Sequence, residues 1–108
     1  MNIKDAMGFL GICRKAGRLA CGHDAVVETL KNSQSRLVML ASDASPRLVR
    51  ETEFECSRDG RGVPVLKTAC TMDDFAAGIG KRSAVYSVTD EGFANKLKQK
   101  FGEELDGN

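Results

Sequence analysis

Leu37-Val38-Met39-Leu40-Ala41 is a continuous apolar run with no polar residue between its members. A strand with one face in water alternates apolar and polar side chains, so an unbroken run predicts a central strand covered on both faces. Helices must then lie on both sides of the sheet, and this limits the rest of the chain more than any other feature. The 108 residues, 42% of them hydrophobic and 29% charged, suffice for one core rather than two. We expect a single domain over residues 1–102, followed by an acidic frayed tail over residues 103–108 that carries Glu103, Glu104 and Asp106.

Helix and strand signals alternate around that run. Asn2 and Asp5 resemble a capping pair, and Ile3, Ala6, Met7, Leu10 and Cys13 recur at helical spacing until Gly17, which predicts a helix over residues 3–16. Gly8 and Gly11 inside it each cost about 1 kcal/mol relative to alanine, so close packing against a neighbour is expected there. A short strand over residues 19–21 precedes a helix opened by Gly22, with Ala25, Val26 and Leu30 as its apolar stripe. Ser45 and Pro46 read as cap and first turn of a third helix burying Leu48, Val49, Thr52 and Cys56, which Asp59-Gly60-Arg61-Gly62 ends. Residues 63–66 read as a strand whose Pro64 suits an edge or a strand start. Thr71 with Asp74 caps a short helix through Ala77, and residues 83–89 form a strand. A last helix starts near Asp90 and buries Phe93, Ala94, Leu97 and Phe101. The expected fold class is α/β: a three-layer α-β-α sandwich with a mixed four-stranded sheet.

Cys13, Cys21, Cys56 and Cys70 are scattered, with no Cys-x-x-Cys pair and one histidine in the chain, so neither a metal site nor a disulfide framework is indicated. No apolar stretch is long enough to span a bilayer, and Lys4, Asp5, Arg14 and Lys15 interrupt the segment where a signal peptide needs apolar residues. A cytoplasmic protein with no membrane partner is expected, and a monomer. The net charge of +1 is unevenly spread: residues 1–36 carry six bases against three acids. A basic footprint must therefore be local and centred on the first third of the chain.

Three stretches invite chemistry. Arg14, Lys15 and Arg18 lead into a helix start at Gly22, an arrangement suited to a phosphate backbone, although bases beside a helix C-terminus are favourable in their own right. Gly78-Ile79-Gly80-Lys81-Arg82 suggests a phosphate loop, but Phe75 stands where a Walker loop needs glycine, and the segment ends a helix instead of opening one. It reads as a flexible loop offering two bases to a nucleic acid, or as a turn with exposed charges. Cys21-Gly22-His23-Asp24 is the one place where a nucleophile and a base stand together. Groups so close along a chain rarely meet in catalytic geometry, so neither an enzyme nor a cofactor is expected. The chain has no tryptophan, one tyrosine and five phenylalanines mostly at core-like positions, which leaves no exposed aromatic pair for stacking single-stranded bases.

The segment Leu10-Gly11-Ile12-Cys13-Arg14-Lys15-Ala16-Gly17-Arg18-Leu19-Ala20-Cys21-Gly22 resembles the ribosomal protein family of the L-seven-Ae type, as do residues 37–46, Val63-Pro64-Val65, Gly80-Lys81 and residues 88–94. Within that family the likeness is to a bacterial YlxQ-like branch. The resemblance runs over nearly the whole chain. It implies the same three-layer sandwich and binding to the kink-turn, a bent RNA helix with a short bulge beside tandem sheared G·A pairs. The implied partner is structured RNA, ribosomal RNA among the candidates. The family's Gly-x-Asn-Glu-x-x-Lys pattern at the second helix start falls on Gly22, His23, Asp24, Ala25 and Glu28. Asp24 keeps an acceptor for a guanine edge, Ala25 offers no side-chain hydrogen bond, and Glu28 puts repulsion where the family has attraction to phosphate. Gly80, Lys81 and Arg82 fall on the loop that flanks the bulged nucleotide in the family, with Lys15 and Arg18 expected near the same edge. The alternative reading is a protein-interaction module that kept the fold after losing RNA readout.

Overall fold

In the computed structural model, which describes residues 3–106, the apolar run becomes β2 (Leu37–Leu40), buried along its whole length. Successive side chains point to opposite faces of a strand. Leu37 and Met39 accordingly enter one core, with Ala41 beside them, while Val38 and Leu40 enter a second core on the other face. β4 (Val85–Val88) divides in the same way: Tyr86 and Val88 face the first core, and Val85 faces the second. The sheet order is β1-β4-β2-β3, with β1 (Leu19–Cys21) and β3 (Val65–Lys67) at the edges. β4 runs antiparallel to both β1 and β2, and β3 runs parallel to β2.

α1 (Ile3–Lys15), α4 (Met72–Ile79) and α5 (Glu91–Asp106) cover the first face, and α2 (His23–Lys31) and α3 (Pro46–Ser57) the second. This is the three-layer α-β-α sandwich with a mixed four-stranded sheet. A buried chain of hydroxyls stitches α2 to β4: Thr29 Oγ1 donates to Ser87 Oγ at 2.8 Å, and Ser87 Oγ donates to Ser35 Oγ at 2.8 Å. Pro64 lies just before β3, where its missing N–H costs nothing, and its carbonyl accepts from the Val38 N–H at 3.0 Å. Among the described residues no helix is long and apolar enough to cross a membrane.

Two local expectations are corrected. Nothing lies within 4 Å of a Cβ placed on Gly8 or Gly11, so close packing does not account for them. Gly78 makes the close approach instead: a Cβ there would lie 2.8 Å from Met7 Sδ, and its absence lets α4 lie against α1. Ala25 is exposed, and Thr29 takes the buried place assigned to it on α2. α5 continues through residues 103–106, the first part of the segment read as an acidic tail. Asn2, named as a cap, and Gly107 and Asn108 lie outside the described residues.

Candidate functional site

Antiparallel pairing of β1 with β4 sets Cys21 opposite Tyr86, so the chain leaving β1 emerges beside the chain entering β4. The Gly22 N–H donates to the Val85 carbonyl at 2.9 Å and fixes that junction. Gly22 has φ 95° and ψ 158°, a conformation that only glycine adopts without strain. A Cβ built there would sit 4.0 Å from Ser83 Oγ, so the N-cap of α2 comes within contact range of Ser83, at the end of the loop that enters β4. No side chain caps α2. Its first amides and the positive end of its dipole are therefore left open beside the loop.

The loop was expected to be flexible, yet it is pinned. Tyr86 is buried, its ring 4.5 Å from that of Phe75, and its hydroxyl reaches out of the core. That hydroxyl donates to the Lys81 carbonyl at 2.6 Å and accepts from the Ser83 N–H at 2.9 Å. Burial pushes the phenol up to about 12, against the opposing effect of the Ser83 amide, so the donor is retained over the ordinary pH range. Gly80 closes α4 in the left-handed conformation, φ 74°, with its N–H on the Ala76 carbonyl. Gly78 and Ile79, expected in the loop, form the last turn of α4, which runs past Ala77.

Of the cations, Lys81 is exposed and makes no ion pair among the described residues. Arg82 reaches Asp73 Oδ1 at 2.8 Å, which neutralises it and draws it back along α4. Arg14 Nη1 donates to the Ile79 carbonyl at 3.0 Å, binding the end of α1 to the same loop. Lys15, next in the chain, lines a groove with Gly78 and Ile79 at this edge. Arg18 lies elsewhere. Its carbonyl accepts from the Thr89 N–H, and it precedes Leu19 opposite Val88, a full strand length from Gly22. The structure thus gathers Gly22, His23, Asp24, Ala25, Gly80, Lys81 and Arg82 at one end of the sheet, with Lys15 at its margin and Arg18 at the other end.

Asp24 and Ala25 are exposed on the first turn of α2. Glu28, one turn on and also exposed, accepts from Asn32 Nδ2 at 3.3 Å. His23 Nδ1 lies 3.4 Å from Asp24 Oδ1 at the surface. Burial raises the pKa of Cys21, although Lys81 and Arg14 pull it down, and a raised pKa disfavours the thiolate that nucleophilic chemistry needs. Among the described residues no three His, Cys, Asp or Glu side chains converge as a metal site would require.

Ser83 and Tyr86 shape this end of the molecule and were not singled out from sequence, whereas Arg14, read there as a base for a phosphate backbone, donates to the Ile79 carbonyl. Only Tyr86 carried a signal, since a tyrosine in a buried strand needs a partner for its hydroxyl.

A model described as the ribosomal protein L7Ae/L30e/S12e/Gadd45 family matches residues 4–98. A Bacillus subtilis (strain 168) protein named RNA-binding protein YlxQ is 34% identical over 90 residues, which are 82% of this chain and 87% of that one. A protein of the same name from Enterococcus faecium is 28% identical over 98 residues, 91% of this chain and 92% of its own. Among solved structures, a Bacillus halodurans protein of unknown function superposes with a TM-score of 0.81 at 28% identity, covering 90% of this chain and 96% of its own.

Proposed function

The chain belongs to the ribosomal protein L7Ae/L30e/S12e/Gadd45 family, and from that membership we propose that it is a non-catalytic protein binding structured, kink-turn-like RNA through the α2 start and residues 80–83. The observation that carries the reading is the junction at Gly22, where an uncapped helix start stands against a pinned loop bearing an exposed lysine. Open amides at the positive end of a helix dipole suit a phosphate, and Lys81 adds a charge that the protein does not neutralise. Asp24, exposed on the first turn, serves as an acceptor for a guanine edge. Gly80 lets the loop turn sharply, and Lys15 extends the cationic margin. The relatives named as RNA-binding proteins support the same partner.

Glu28 and Ala25 weaken this interface relative to the family pattern without removing its backbone donors. A bidentate base contact is worth about 1–3 kcal/mol, so the absence of one lowers affinity and leaves shape and phosphate contacts to discriminate. The test is equilibrium binding to a kink-turn RNA and to a straight duplex of matched length, each across a salt series. The proposal expects tighter binding to the kink at every salt concentration, with affinity for both falling steeply as salt rises. Equal, weak, salt-sensitive binding to the two RNAs would contradict it.

A further inference from the structure

Beside the α2 start, between α2 and α3, lies a groove of about 430 Å³ lined by His23, Arg50, Glu51, Phe54 and Glu55. Its floor is an aromatic ring that the protein does not cover: Phe54 is 62% exposed, whereas Phe75 and Phe101 are buried in the first core. The charges around the ring are not equivalent. Glu51 is held by Arg47 Nε at 2.9 Å, and the recessed Glu55 is held by Arg58 and Arg61. Arg50 is exposed and has no ion pair among the described residues. Each of the two carboxylates has an arginine partner, and the groove offers an incoming group an aromatic face, an unpaired guanidinium and the imidazole of His23.

We propose that this groove takes an unpaired base of the bound RNA, stacked on Phe54, with Arg50 on an adjoining phosphate. The inference rests on the RNA-binding reading above and extends its footprint from α2 onto α3. Continuity supports it: His23 is the first residue of α2 and also lines the groove, so a strand docked at the helix start reaches Phe54 without crossing other protein surface. Scale supports it as well. A single exposed ring rimmed by charge lacks the clustered apolar core that stable protein interfaces bury, but it matches what one base needs, a π face and a nearby cation. The groove volume lies within the roughly 300–1,000 Å³ usual for small-molecule sites.

The experiment compares wild type with Phe54→Ala, Phe54→Leu and Phe54→Tyr on a kink-turn RNA carrying four unpaired adenosines at each strand end. Thermal melts confirm that these surface substitutions leave the fold intact. Phe54→Ala and Phe54→Leu are expected to weaken binding roughly 5- to 150-fold, the span for loss of one base stack, while Phe54→Tyr retains affinity. Arg50→Ala should lower the slope of log affinity against log salt by about one. Unchanged affinity in Phe54→Ala would overturn the proposal and leave the RNA-binding reading standing. So would full affinity in Phe54→Leu, which would mean apolar contact without stacking. Failure of the wild type to bind this RNA at low salt would instead remove the reading on which the proposal rests.

Discussion

The starts of α4 and α2 solve the same chemical problem in opposite ways. A helix leaves its first amides without intrahelical partners. At α4, Thr71 Oγ1 accepts from the Asp74 N–H at 3.1 Å and Asp74 Oδ2 accepts from the Thr71 N–H at 2.9 Å. Asp43 Oδ1 then takes the Met72 N–H at 2.9 Å. Three side-chain oxygens close that end. At α2 no side-chain oxygen plays this part, and a glycine in a backbone region open without strain to glycine alone brings the turn beside Ser83, in the loop carrying Lys81. The first arrangement serves stability. The second does without a side-chain cap, at a cost of roughly a few tenths of a kcal/mol for glycine at that position, and leaves a positively polarised surface for an external acceptor.

Substitutions at the two helix starts should separate these roles. The largest effect is expected for Gly22→Ala, which forces φ 95°, ψ 158° on a residue with a Cβ. Strain of about 1–3 kcal/mol should appear as a lower urea midpoint, and relaxation of the turn away from Ser83 should weaken RNA binding as well. Unchanged RNA affinity would break the link between that turn and the site.

Tyr86→Phe comes next, since it removes the hydroxyl shared by Lys81 and Ser83 while keeping the ring. A loss of about 1–3 kcal/mol is expected in urea denaturation, with faster amide exchange over residues 81–83. The same hydroxyl contributes to an alkaline limit. Because the folded pKa is raised from 10.0 to about 12, its contribution is complete below pH 10 and is lost as pH rises through 12. Tyr86→Phe should flatten that part of the stability profile, although Cys13 and Cys56, both pushed up to about 11 by burial, still contribute from about pH 9 upward.

Thr71→Ala should cost about 1 kcal/mol in the same denaturation assay and leave RNA affinity unchanged. A fall in RNA affinity with that variant would erase the distinction between the two helix starts. The smallest change in stability is expected for Glu28→Lys, within about 0.5 kcal/mol, because Glu28 is exposed. RNA affinity should nevertheless rise and its salt dependence steepen, if this face of α2 meets phosphate.

What could be read from the sequence follows the same division. The Thr71 and Ser45 caps are local, each using an oxygen three residues from the amide it accepts, so pattern alone locates them. The central strand was equally legible, because burial on both faces leaves no alternation. Contacts made through space were not. Arg14 reads as a basic residue near a helix end, but its partner is the Ile79 carbonyl, 65 residues away. Arg82 reads as a free base, yet Asp73 holds it from the preceding helix. Gly8, Gly11 and Gly78 are alike as letters, and only the approach of Met7 to Gly78 tells them apart. Phe54, the aromatic left in solvent, sits two residues from each of the buried Thr52 and Cys56, on the opposite side of α3, where periodicity marks it only as lying off the apolar stripe.

The most direct test of the central claim is an amide NMR titration of the protein with kink-turn RNA. The largest shifts are expected at His23, Asp24, Ala25 and residues 80–83, with residues 71–74 at the closed start of α4 unmoved. Largest shifts at residues 71–74, or at the opposite end of the sheet around Arg18 and Thr89, would contradict it.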